Sequence, residues 1–420
     1  MKTFEVKVGD GVQRWDSPYD FVVPTPKEAA LDGAFASVDE ALDHPIGSLR
    51  LEELAREARK IVIIVPDATR GWCRAPEMNA ALRRRISSVT DVPVVWIAAT
   101  GQHRAVTEDE IPLVYGSAPM EGDRVQSHNC DDAVDMELKT SGGTPLWLNA
   151  EFCEADLIVL VGGITYHDMA GFSGGRKAII PGVSGRRSIV TNHNHCLIDG
   201  GLNPATDSGL VANNPMAQDQ KEFADLALRG KKCFILNAVA DSMGQPAVWV
   251  AGDLWHAWER GCEICRSLDS LYIPRKAARC IASCGGSPFD MDLYQATKAF
   301  FSPLAALLPG APVVLAAGVE DSLGPGDFAD DLPAAMADPS AFAKRMERAF
   351  TVPGYIALRM VLEARRHPCA LVTPRTDVPF PGAVFRTMNE ADRWLQEVSG
   401  TEGLSMLVPC GNAIHVISES

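Results

Sequence analysis

Seven short apolar runs, most of them leading into Gly, Asp, Thr or Ser, constrain this chain more than any other feature. They are Lys60–Val65, Val92–Ala98, Asp156–Val161, Lys232–Val239, Cys280–Ser283, Val313–Ala317 and Ala370–Thr373. Continuous apolar runs of this length, without polar alternation, suggest strands covered on both faces. Between them lie segments of helical periodicity: Met78, Leu82 and Ile86 are spaced by four within Pro76–Ile86, and Pro333–Phe350 has a similar pattern. Strands alternating with helices predict an α/β fold with mostly parallel sheets.

A chain of 420 residues exceeds one simple core, so two α/β domains are expected. Pro274, Arg275 and Lys276 interrupt an apolar pattern within Ser267–Arg279. This places an N-terminal domain at 1–270 and a C-terminal domain at 275–420, with the segment Leu404–Val408 free to return to the first. The early acidic residues Asp39, Glu40 and Asp43 read as an exposed helix. The net charge of −15 argues against a general nucleic-acid binder, and it means that an anionic ligand needs a local cluster of Arg and Lys. No apolar run reaches membrane-span length, and the opening MKTFEVKVGD lacks the regions of a signal peptide. Eleven scattered cysteines suit a reducing cytoplasm better than a disulfide scaffold, and Cys262 and Cys265 read as structural.

In open α/β sheets, ligands sit beyond the carboxyl ends of the strands. Chemically capable residues follow four of the runs. The first leads to Asp67-Ala68-Thr69-Arg70: a carboxylate for a ribose diol and a planar fork for a substrate carboxylate, or simply a helix cap and a solvated charge. The second leads to Thr100-Gly101-Gln102-His103-Arg104, where a histidine at a strand end can act as a general base. A lone histidine is more often structural, so it counts only in company. The third leads to Tyr166-His167-Asp168-Met169-Ala170-Gly171-Phe172-Ser173-Gly174-Gly175-Arg176-Lys177. This run fails the P-loop pattern, because the spacing from Gly171 is wrong and Ala178 follows Lys177, so an NTPase is disfavoured. Phosphate cradling by its backbone amides stays open. Thr191-Asn192-His193-Asn194-His195 offers two imidazoles, either a bidentate pair on a strand or one ligand beside a bystander. The run Cys280–Ser283 leads to Gly285-Gly286-Ser287 and a helix whose Tyr294, Gln295 and Lys298 form an anion-binding face or merely an exposed one.

Taken together and in order, these motifs resemble the lactate racemase family, which uses a nickel-pincer nucleotide. The resemblance covers most of the chain, and the spacing of His167, Lys177 and His193 is its specific part. It implies two α/β domains with the active site in the cleft between them. By that resemblance, Lys177 tethers the cofactor covalently: nickel with pyridinium-3-thioamide-5-thiocarboxylic acid mononucleotide. His193 is the protein ligand of nickel, and Asp67, Thr69 and the turn Phe172, Ser173, Gly174 and Gly175 hold the nucleotide. His103 and His167 are the two acid/base residues, while Arg70, Tyr294, Gln295 and Lys298 hold the substrate.

The chemistry so implied is inversion at C2 of a small 2-hydroxy acid. Abstracting a proton α to a carboxylate is difficult; removing a hydride to an electrophilic cofactor, as a base takes the hydroxyl proton, is easier. The planar 2-keto acid can then receive the hydride on either face, with one histidine serving each hand. Expected partners are the anionic substrate and the cofactor's biosynthesis and insertion proteins, with self-association left open. Three places depart from the family pattern: Gly71-Trp72-Cys73-Arg74 follow the first motif where proline is common, Gln102 stands where threonine is usual, and Asp168-Met169 follow His167. Arg74 would favour a second carboxylate, as in malate. Two alternatives stand beside this reading: a sugar-acid 2-epimerase on the same cofactor, and a nickel-nucleotide carrier without turnover.

Overall fold

Along the strand Ile61–Pro66, Ile61, Ile63 and Val65 enter one apolar core while Val62 and Ile64 enter another. The same alternation runs through its neighbours: Trp96 and Val159 face the first core, and Ile97 and Leu160 the second. A strand whose residues all lead into one of two cores must be apolar throughout, which is why these runs lack polar alternation. The computed structural model describes every residue from 1 to 420 except 30, 242, 243, 376, 412 and 413.

The chain divides into two units, one of residues 28–196 and 204–268, the other of 1–27, 197–203 and 269–420. In the first, six strands lie in the order Pro246–Gly252, Lys232–Ala240, Leu157–Ile164, Ile61–Pro66, Val94–Ala99 and Arg124–Ser127. All pair in parallel except Pro246–Gly252, which runs antiparallel along the edge. The helix Ala75–Ser87 contributes Met78, Leu82 and Ile86 to one core. Pro215–Ala227 and Leu254–Asp269 bring Phe223, Trp258 and Ile264 to the other.

In the second unit six strands are all parallel, in the order Ala383–Phe385, Cys369–Val372, Val313–Ala316, Arg279–Ser283, Ser405–Val408 and Phe21–Val22. Residues 1–27 and 197–203 therefore fall outside the unit in which the sequence reading put them. Residues 1–27 do not belong with the domain that follows them. Trp15 and Phe21 are buried with Ile281, Val314 and Leu407, apolar partners that lie more than 250 residues further along the chain. Ser405–Val408 pairs beside Arg279–Ser283 and stays in this unit. The stretch Pro333–Phe350 is not one helix either. Gly326–Ala337 ends at Asp338, whose side chain caps the next helix, Pro339–Met346, by accepting from the backbone N–H groups of Ser340 and Ala341.

Asp39 and Asp43 do lie on an exposed face, paired with Arg84 and Arg85. All eleven cysteines are free thiols, with Cys262 and Cys265 buried in one helix. Among the described residues no helix is long and apolar enough to cross a membrane.

Candidate active site

Three adjacent strands of the first unit, Leu157–Ile164, Ile61–Pro66 and Val94–Ala99, end side by side, and each delivers chemistry at its carboxyl end. After Ile61–Pro66, Asp67 caps a short 3-10 turn: its Oδ1 accepts from the backbone N–H of Thr69 at 3.1 Å and from the Thr69 hydroxyl. Its Oδ2 lies 2.6 Å from Nδ1 of His103. Burial pushes the Asp67 carboxyl up, but the hydrogen bonds from His103 and Thr69 outweigh it and hold the group below the usual carboxylate range. An ionised carboxylate only accepts, so His103 Nδ1 must carry a proton and the neutral ring has its lone pair on Nε2. Both Asp67 oxygens are thus engaged inside the protein, which makes it a positioning residue for His103 before any contact with a ribose.

His103 is placed by the turn from Thr100, its N–H donating to the Thr100 carbonyl at 2.8 Å. Gly101 takes a left-handed φ of +54° and donates to the Gly182 carbonyl, which ties this turn to the loop beyond Lys177. The His103 side chain is 56% exposed, so its Nε2 edge is open to a ligand. Arg104, next along, is paired with both oxygens of Glu110.

His167 is oriented the opposite way. Its Nδ1 accepts the backbone N–H groups of Met169 and Ala170, both at 3.2 Å. The proton of the neutral ring is therefore on Nε2, which lies 2.5 Å from Nζ of Lys177. That contact requires the lysine to accept, and hence to be the free amine. Burial first, then the charges of Arg70 and Arg176, bring the Lys177 amine down to about 7, so much of it is neutral near neutral pH. Burial and the charges of Lys177 and Arg70 likewise hold His167 well below the ordinary imidazole range. Arg70 is thereby close enough to act electrostatically on both groups.

His193 lies in the last turn of the helix Arg186–Asn194 and is buried. Its Nδ1–H donates to the Ile189 carbonyl at 2.7 Å, leaving the lone pair on Nε2. Burial and the charge of Lys177 lower its pKa to about 4, so the ring stays neutral and able to bind a metal. The segment is helical, so His193 and His195, two apart, do not face each other, and the bidentate strand pair is ruled out. His195 instead faces Asp219, at 3.6 Å.

The glycine-rich turn is shaped by its own packing. Gly174 and Gly175 have φ of +71° and +48°, and a Cβ on either would meet Asn237 or Trp258 within 2.7 Å. The Gly175 N–H donates to the Asn237 side chain and the Ser173 N–H to the Thr165 carbonyl, so two amides of the proposed cradle are spent internally. Phe172 is fully buried and stacks on Tyr166. Asn237 and Trp258, which shape this turn, carry no local motif and were not anticipated. Thr69 is exposed beside Arg70, whose Nη1 donates to the Thr69 hydroxyl at 3.2 Å.

In the second unit, Asp292 caps the helix Leu293–Phe301, and Lys298 donates to Gln295 Oε1 at 2.7 Å as the spacing suggested. Tyr294 is half-buried, its ring edge-on to Phe328. Arg74, expected to take a second carboxylate, has a left-handed φ of +56°, pairs with Glu77 and lies over Trp249.

Among the described residues no three His, Cys, Asp or Glu side chains gather in a way that could hold a metal ion by themselves.

Comparison with known proteins bears on the same residues. Residues 19–203 match the family model described as the lactate racemase N-terminal domain. The chain is 33% identical over 323 residues to a lactate racemase of Lactiplantibacillus plantarum, covering 76% of this chain and 73% of that one. It is also 33% identical over 296 residues to a lactate racemase of Thermoanaerobacterium thermosaccharolyticum, covering 69% and 67%. The structure of the lactate racemase apoprotein from the latter organism superposes with a TM-score of 0.82 at 25% identity, over 99% of this chain and all of that one. A Thermotoga maritima protein shares the fold at a TM-score of 0.60 and 16% identity, over 91% and 98%.

Proposed function

The chain belongs to the lactate racemase family and is an isomerase, and from that premise we propose that it inverts C2 of a small 2-hydroxy acid with a nickel-pincer nucleotide bound at Lys177 and His193. The observation that carries this reading is that strand ends of one sheet deliver two imidazoles, His103 with its Nε2 lone pair outward and His167 beside the Lys177 amine. Inversion through a proton-coupled step needs a base for each hand: one imidazole takes the hydroxyl proton, and the other, as the imidazolium, returns one to the keto oxygen. The bound nucleotide would supply a reversible hydride acceptor, so that the C2 hydride can leave and return through a planar 2-keto acid.

The protein's own part is positional and electrostatic. Asp67 holds the His103 ring so that Nε2 meets the substrate hydroxyl, and it stabilises the imidazolium formed when that proton arrives. Arg70 is suited to the substrate carboxylate, and the Gln295–Lys298 pair to an anionic or hydroxylated end. The neutral amine of Lys177 is the nucleophilic form that covalent attachment requires. His193, neutral with Nε2 free of a proton, is the nitrogen for nickel. The turn Phe172–Gly175 and Thr69 would border the nucleotide.

One observation favours a hydroxylated side chain over the methyl group of lactate. A cavity of about 280 Å³ beside His103 is lined by Gln102, Ser127, Asn129, Asp131 and Arg186. Its guanidiniums are already paired, Arg104 with Glu110 and Arg186 with Asp131, so it suits neutral hydroxyls better than a second carboxylate. A sugar acid is therefore the second reading.

Co-expression with the cofactor biosynthesis proteins tests both. The expected result is a mass increase localised to Lys177, one nickel per chain, and inversion in a chiral assay over lactate, malate and gluconate. An unmodified Lys177 in a nickel-loaded, active protein would refute the attachment; inversion of malate but not gluconate would refute the second reading.

A further inference from the structure

Arg176 is the most unusual cation in the molecule. It is 1% exposed, its guanidinium lies 4.3 Å over the ring of Trp258, and its Nη2 donates to the Ala170 carbonyl at 2.9 Å. Its Nε and Nη1 find no acceptor among the described residues. Burial lowers its pKa to about 10, which leaves it charged at neutral pH. A buried guanidinium with unused donors and no carboxylate partner is costly for a fold to keep.

Arg176 forms part of the wall of a second cavity, of about 320 Å³, on the first unit. The same wall holds Arg266, one carboxylate, Glu259, and Lys221, which is paired with Asp225 at 2.9 Å, so two guanidiniums without a carboxylate partner among the described side-chain pairs remain, in a chain of net charge −15. Trp255 and Trp258 meet edge to face, their rings 6.4 Å apart at 88°, and form an apolar corner. Lys221 lies 4.3 Å over Trp255, and Arg266 lies 4.8 Å over Phe172 while donating to the Gly209 carbonyl. None of His103, His167, Lys177 or His193 lines this cavity.

We propose that this cavity is a separate binding site for a small organic anion with a flat apolar body, its carboxylate or phosphate taken by Arg176 and its body seated against Trp255 and Trp258. Arg suits the charged end because its planar fork pairs two oxygens at once, and indole faces suit a planar body. The site makes no use of the assigned activity, so it stands or falls apart from the racemase reading.

Calorimetric titration of the full chain with benzoate, phenyl phosphate and inorganic phosphate tests it. Benzoate or phenyl phosphate should bind at least about ten-fold tighter than inorganic phosphate, and Arg176→Met should weaken binding by roughly ten- to a hundred-fold. Which of the two probes binds tells whether the oxyanion is a carboxylate or a phosphate. Trp255→Ala, at the partly buried edge of the wall, should weaken both probes and decides the matter if Arg176→Met does not fold. Binding that survives both variants, no binding of either probe at 10 mM, or equal affinity for inorganic phosphate would overturn the proposal. So would loss of binding once the nucleotide is loaded at Lys177, since the cavity would then belong to the cofactor.

Discussion

His103 and His167 share one proposed task in opposite surroundings. His103 is mostly exposed and has an ionised carboxylate behind it; His167 is half-buried, held by two backbone amides and faced by Lys177, with Arg70 near. A carboxylate behind a ring fixes its tautomer with the lone pair outward; burial, and the charge of Arg70 nearby, disfavour protonation of the other ring. His167 can therefore accept a proton only when negative charge is brought to it, and the carboxylate of a bound hydroxy acid near Arg70 would do that. One histidine is prepared by the protein and the other by the substrate.

The strongest way to break this comparison is to remove each ring in turn. His103→Ala and His167→Ala should each lower turnover by about 10²- to 10⁴-fold in a chiral assay while nickel stays bound. Full activity in either protein would end the two-base account.

A smaller effect sharpens it. Asp67→Asn keeps the cap on Thr69 but weakens the hold on His103, and should cost roughly ten- to a hundred-fold in turnover with nickel and nucleotide content unchanged. A fall in nucleotide content instead would return Asp67 to the ribose role read from its motif.

The smallest effect concerns the lysine that faces His167. The Lys177 pKa is depressed in the fold, so between about 7 and its ordinary 10.5 the unfolded chain binds the extra proton. Stability should then rise with pH across that window in the apoprotein. Against Lys177→Met, the wild-type melting temperature should drop by a few degrees, roughly, as pH falls from 10 to 7 and should track the variant below that. A constant gap would show that the amine is charged throughout.

How far the sequence could be read follows from which forces act locally. All seven apolar runs became strands because double-sided burial writes itself into consecutive residues. Strand Arg124–Ser127 escaped notice because it is an edge, largely solvated, with no apolar signature. His103, His167, Lys177 and His193 were legible as residues. Their tautomers were not, since these depend on Asp67, on the Met169 and Ala170 amides and on the Ile189 carbonyl. Asp67 and His103 lie 36 residues apart and meet only because their strands are neighbours. The isolation of Arg176 was equally hidden, because a motif shows which groups are present but not which are left unmatched.

The pairing of Phe21–Val22 with Ser405–Val408 has a consequence for how the protein is made. Ser17 donates to Asp392, 375 residues later, so the first 27 residues find their partners only when the last strands exist. The unit carrying Lys177 and His193 is formed by residues 28–196 and 204–268. At synthesis rates of about 5–20 residues per second, it can close roughly seven to thirty seconds before residues 1–27 can dock. Throughout that interval Trp15 and Phe21 are apolar surface waiting for a core, the segment of this chain most in need of protection as it emerges.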